Sequence, residues 1–89
     1  MATFIAFHEV DDVDYWLKSP RRGELIAAYE GVSMRTFADP EGSNRTGLII
    51  DVPDPLVPAF QEMMQSEGTV EAAKADGVHW DTLVMLAEA

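Results

Sequence analysis

The chain has 89 residues, 47% of them hydrophobic, with no cysteine and a formal net charge of −10 at pH 7. That length permits one small domain, residues 1–89, burying roughly 60–65% of the surface its unfolded chain exposes. The lack of thiols excludes disulfides, thiolate zinc sites and a cysteine nucleophile, and the acidic balance argues against nucleic acid and anionic membrane surfaces as partners.

No apolar run approaches the ~18 residues of a membrane-spanning helix. The opening Met1–Phe4 lacks the basic start and long apolar stretch of a secretory leader, so a cytoplasmic protein is expected.

Thr3 to Val10 gives the first strand signal, rich in β-branched and aromatic residues. Phe4, Ala6, His8 and Val10 alternate with Thr3, Ile5, Phe7 and Glu9. Both sets carry apolar groups, which predicts a strand covered on both faces for most of its length. Asp11 to Tyr29 reads as helical, with Asp11 or Asp12 as N-cap and Val13, Trp16 and Leu17 on one face. Pro20 breaks this helix and restarts it, with Ser19 as cap, and the second piece gathers Leu25, Ile26 and Tyr29 before Gly31 ends it.

Val32 to Ala38 and Thr46 to Val52 are the next two strands. The turn-forming segment Asp39-Pro40-Glu41-Gly42-Ser43-Asn44 joins them as an antiparallel hairpin. Asp54-Pro55 opens a second helical region, whose start slips toward Pro58 and whose core stripe is Val57, Phe60, Met63 and Met64. Gly68 interrupts it, Thr69 caps a continuation through Ala75, and Gly77 closes it. Thr82 to Ala87 is the last strand.

The order β-α-β-β-α-β predicts a ferredoxin-like α+β fold: a four-stranded antiparallel sheet in order 4-1-3-2, with two kinked helical regions on one face. Two helical regions cover only that face, yet Ile49, Val84 and Leu86 point away from the set that holds Leu48, Ile50, Leu83 and Met85. A bare apolar face favours pairing with a second copy about a two-fold axis, so a homodimer is expected.

With these features the chain resembles the dimeric α/β barrel superfamily, which includes antibiotic-biosynthesis-type monooxygenases and muconolactone isomerases. The resemblance rests on Phe4–Val10 as first strand, Gly47–Pro53 around the third, and Phe60–Ser66 followed by Ala72–Val78 as second helical region. It implies a small hydrophobic or aromatic ligand held between sheet and helices. It also implies either cofactor-independent oxidation, isomerisation or cyclisation, or a non-enzymatic binding or assembly module.

Among residues that could carry chemistry, His8 stands out as an imidazole in a strand read as mostly buried, able to act as base or donor. Asp51 lies near the end of the third strand, as His8 does near the end of the first. With those strands read as parallel neighbours, the two would form a dyad. Arg35, on the second strand, would bind an anionic or enolate oxygen. Tyr15, Trp80 and His79 are candidates for the rim of a ligand pocket; Trp80 could equally close the core where a loop enters the last strand. Lys18, Arg21 and Arg22 flank the helix break and could attract an acidic ligand or solvate the kink. The acids Glu9, Asp11, Asp12 and Asp14 fit no Ca²⁺ loop and serve as helix-start charges. No metal, heme or nucleotide motif occurs, so no cofactor is expected.

Overall fold

The computed structural model describes residues 1–89. Four strands alternate with short helices: β1 (Ala2–Val10), α1 (Val13–Lys18), α2 (Arg21–Ala27), β2 (Ser33–Ala38), β3 (Arg45–Val52), α3 (Val57–Met64), α4 (Glu67–Ala75) and β4 (Val78–Ala87). The sheet order is β2-β3-β1-β4 with every neighbouring pair antiparallel, the ferredoxin-like arrangement expected from the element order.

Local chemistry sets the element ends. The Asp12 carboxylate accepts a hydrogen bond from the Tyr15 amide and caps α1. Pro20 separates α1 from α2, and Ser19 Oγ accepts from the Arg21 amide. Asp54–Leu56 form a single 3₁₀ turn, so the helix proper begins at Val57 with Pro58 in its first turn. The break after α3 is capped by Ser66 rather than Thr69: Ser66 Oγ accepts from the Thr69 amide, and Gly68 falls inside the first turn of α4. Gly77 leaves α4 at positive φ, and Gly31 does the same at the end of the turn that follows α2.

Alternation in β1 decides the layers. Phe4, Ala6, His8 and Val10 face the helices and are buried, together with Leu48, Ile50 and Val52 of β3. Trp16 from α1 and Phe60 from α3 close over them, the Phe60 ring lying 5.4 Å from that of Phe4. Ile5, Phe7, Ile49, Val84 and Leu86 take the opposite face, where Phe7, Val84 and Leu86 are exposed.

β4 starts earlier than its apolar run suggests. Its register against β1 jumps from Phe7↔Val84 to Glu9↔His79, so Trp80 to Leu83 form a bulge opposite His8. Thr82 spans the gap: its Oγ1 accepts from the Glu9 amide and donates to the His79 carbonyl. The segment His79-Trp80-Asp81, expected as a loop before the strand, is therefore part of it.

Candidate functional site

A cavity of about 80 Å³ lies between the sheet and the helices. Its walls are mostly apolar, with Ala6, Leu48 and Val78 from the sheet and Trp16, Met64 and Ala73 from the helices among them. Its polar groups are His8, Arg21, Arg22, Thr69 and Asp76.

His8 is placed there by strand parity and is 6% exposed. Its ring meets Trp16 edge-on at 5.2 Å. Thr46, directly opposite on β3, sits 2.8 Å from Nδ1 and 3.0 Å from the His8 carbonyl oxygen. The hydroxyl owns one hydrogen. Donating it to the carbonyl, which can only accept, and accepting from Nδ1–H satisfies all three groups. That arrangement selects the tautomer whose Nε2 carries the free lone pair, and Nε2 makes no hydrogen bond within the chain. Burial lowers the His8 pKa, the nearby Arg22 charge lowers it further, and a backbone hydrogen bond partly opposes them, so the imidazole is neutral near pH 7.

Arg22 enters from α2. Its guanidinium stacks 4.1 Å above the Trp16 ring, and Nη2 donates to the Trp16 carbonyl at 2.6 Å. Nη1 is buried without a hydrogen-bond partner, its nearest acid being Asp76 Oδ2 at 3.8 Å. A buried donor left unpaired costs about 1–3 kcal/mol. Burial pushes the Arg22 pKa down and Asp76 pulls it back up, and the group remains a cation.

Asp76, 3% exposed, ends α4. Its Oδ1 accepts from Ser19 Oγ at 2.7 Å and from the Arg21 guanidinium. One carboxylate thus serves two arginines and holds α2 against α4. Neither Arg22 nor Asp76 was singled out as a site residue from sequence, although Arg22 belongs to the basic group at the helix break. A usable signal existed for Asp76: an acid in the last turn of a helix opposes the helix dipole, and burying it there demands a cation.

The expected His8–Asp51 dyad does not form. β1 and β3 are antiparallel, so their C-terminal ends lie at opposite edges of the sheet: Thr46 faces His8, while Asp51 pairs with Thr3 and accepts from its hydroxyl at 2.6 Å. Asp51 also follows the parity of Thr3 and Ile49, which puts it on the face away from His8. Arg35 pairs with Ile49 on that same outer face and is exposed. Tyr15 is 52% exposed and lines no part of the cavity. His79 sits in β4 beside Asp11, whose carboxylate holds its imidazole and raises its pKa. Trp80 does line the cavity.

A second, open groove of about 650 Å³ runs between α3, α4 and β4, lined by Phe4, Phe60, Val70 and Met85 among others. Met64, Trp80 and Leu83 line both spaces. No group of three or more His, Asp or Glu side chains is placed to hold a metal ion, and no helix is long and apolar enough to cross a membrane.

No protein-family model matches the sequence, and no curated protein matches it. Among solved structures, one described as the crystal structure of an antibiotic biosynthesis monooxygenase superposes with a TM-score of 0.65 over 100% of this chain and 97% of that one, at 15% identity. That likeness shows the fold.

Proposed function

We propose that the chain binds a small, largely apolar molecule in the sheet–helix cavity and transfers a proton there. The observation that carries this reading is a neutral, buried His8 with a free Nε2, in the same apolar cavity as an Arg22 cation whose Nη1 lacks an acceptor. His8 Nε2 takes a proton from an acidic C–H or O–H, and the resulting enolate or phenolate oxygen is held by Arg22. Returning the proton to a different atom completes an isomerisation. An oxidation by the same anion would consume dioxygen as co-substrate. Trp80 forms the substrate wall. Asp51 and Arg35, on the far face, take no part. The 80 Å³ volume also suits the second reading, a binding module without turnover.

Trp16 and Trp80 are the two tryptophans of the chain, and both line the cavity. Occupancy is therefore expected to change the intrinsic fluorescence. Cyclopentanone serves as an enolisable probe, with solvent-deuterium exchange followed by NMR. His8→Gln should lower catalysed exchange ten-fold or more, a loss of about 1.4 kcal/mol in transition-state stabilisation. Fluorescence quenching with equal exchange in both proteins would leave binding and remove catalysis. We further propose that two copies pair through the open sheet face.

A further inference from the structure

The small cavity has room for only a few heavy atoms, at about 80 Å³, while the groove beside it offers about 650 Å³. The partition between them is local. Trp80 and Leu83 lie in the β4 bulge, outside the regular ladder with β1, and Met64 is the last residue of α3. A wall built from a strand irregularity and a helix end can move without unpairing the sheet.

The two spaces differ in chemistry. Eight of the ten residues lining the groove are hydrophobic, and the other two, Gln61 and Gln65, are uncharged. The cavity carries two guanidinium groups, from Arg21 and Arg22, against one carboxylate, Asp76. Asp76 Oδ1 is already shared by Ser19 and Arg21, and Oδ2 stays 3.8 Å from Arg22 Nη1. One positive charge is left over, in a chain with only six Lys and Arg and a net charge of −10.

We infer that cavity and groove are two halves of one site for an elongated amphiphilic monoanion: a carboxylate head at the His8–Arg22 end and an apolar tail that passes Trp80 and Leu83 into the groove. This rests on reading the cavity as a ligand site. The head supplies the acceptor that Arg22 Nη1 lacks, the guanidinium turning slightly about its Nη2 anchor on the Trp16 carbonyl. The tail lies against Phe4, Phe60 and Met85.

The test is a tryptophan-fluorescence titration of the whole chain with butanoate, octanoate and dodecanoate, each below its micellar concentration, beside butanol, octanol and dodecanol. Octanoate should bind at least ten-fold tighter than butanoate and at least ten-fold tighter than octanol. Arg22→Met, checked for its fold by circular dichroism, should reduce octanoate to the level of octanol. Val70→Phe, which fills the groove without touching the cavity, should erase the gain from chain length and leave butanoate unchanged. Octanoate should also move the His8 ring proton titration, seen by NMR, to higher pH, which a tail-first or surface mode would not do. Equal affinity of octanoate and octanol overturns the anionic head, and equal affinity of butanoate and octanoate overturns the joined site. If cyclopentanone binds and none of the six probes does, this proposal alone fails. If cyclopentanone also fails to bind, the ligand-site reading fails with it.

Discussion

Thr46 holds two groups of His8 with one hydroxyl, so its removal is costly. Thr46→Val keeps the shape but leaves the buried His8 Nδ1–H unpaired and removes the hydroxyl from the His8 carbonyl, and should destabilise by about 1–3 kcal/mol in urea unfolding, with Thr46→Ser largely restoring it. The two histidines make opposite pH contributions. His8 has a lowered folded pKa, chiefly from burial, so it adds nothing above the unfolded value of about 6.5 and subtracts stability as pH falls below that toward its folded value. His79 has a raised pKa, chiefly from its hydrogen bond to Asp11. Its contribution is full below about 6.5 and is lost as pH rises through the folded pKa. Urea midpoints between pH 5 and 8 should therefore fall less on the acid side in His8→Gln and less on the alkaline side in His79→Asn. His8 was legible as a buried group because both parities of Thr3–Val10 carry apolar residues and the strand was read as covered on both faces; the structure buries only the Phe4, Ala6, His8 and Val10 set and leaves Phe7 exposed. Its partner was misassigned because the strand direction was misread: the hairpin between β2 and β3 reverses the chain, and with β1 antiparallel to β3 the residue opposite His8 becomes Thr46. Arg22 and Asp76 meet across 54 positions of sequence, a proximity that no local pattern encodes.

The elements were legible wherever proline, glycine and apolar spacing agreed, as at Pro20 and Gly31. They were less so where tertiary pairing decided. The start of β4 was missed because the bulge interrupts the period-two pattern over Trp80–Leu83. The glycines that punctuate the helices are not equivalent. Gly31 has φ +89°, and a Cβ there would approach Pro53 Cγ to 2.9 Å, so Gly31→Ala should cost about 1–2 kcal/mol or more. Gly68, in the first turn of α4, has open space around it and no unusual φ. Gly68→Ala should be neutral or stabilise by about 0.5–1 kcal/mol. Thermal melts of both variants check the contrast, and equal effects would mean that backbone conformation is not what distinguishes them.

The whole molecule presents one covered and one uncovered sheet face. Across the latter, Phe37 and Phe7 flank Gly47, and Val84 stands next to Phe7. If this face pairs two copies, sedimentation at micromolar concentration should give twice the chain mass of 9.8 kDa, and Phe7→Lys with Val84→Lys should give the single-chain mass without loss of helix content. A wild-type monomer under those conditions would remove the dimer and leave the fold untouched. The sheet order has a further consequence, for biosynthesis. β1 is an inner strand, yet one of its two partners, β4, spans residues 78–87. While the chain is being made, β1 can pair with β3 as soon as residue 52 has emerged, but its other edge, with Phe4, Ala6 and Val10 beside it, waits for the last strand. Closure is a long-range event, which slows folding and exposes a template for pairing with neighbouring nascent chains. A nascent chain that has exposed residues 1–52 but not yet 78–87 would therefore be the most aggregation-prone form of this protein, and chaperone demand should peak in that window and fall once β4 is in place.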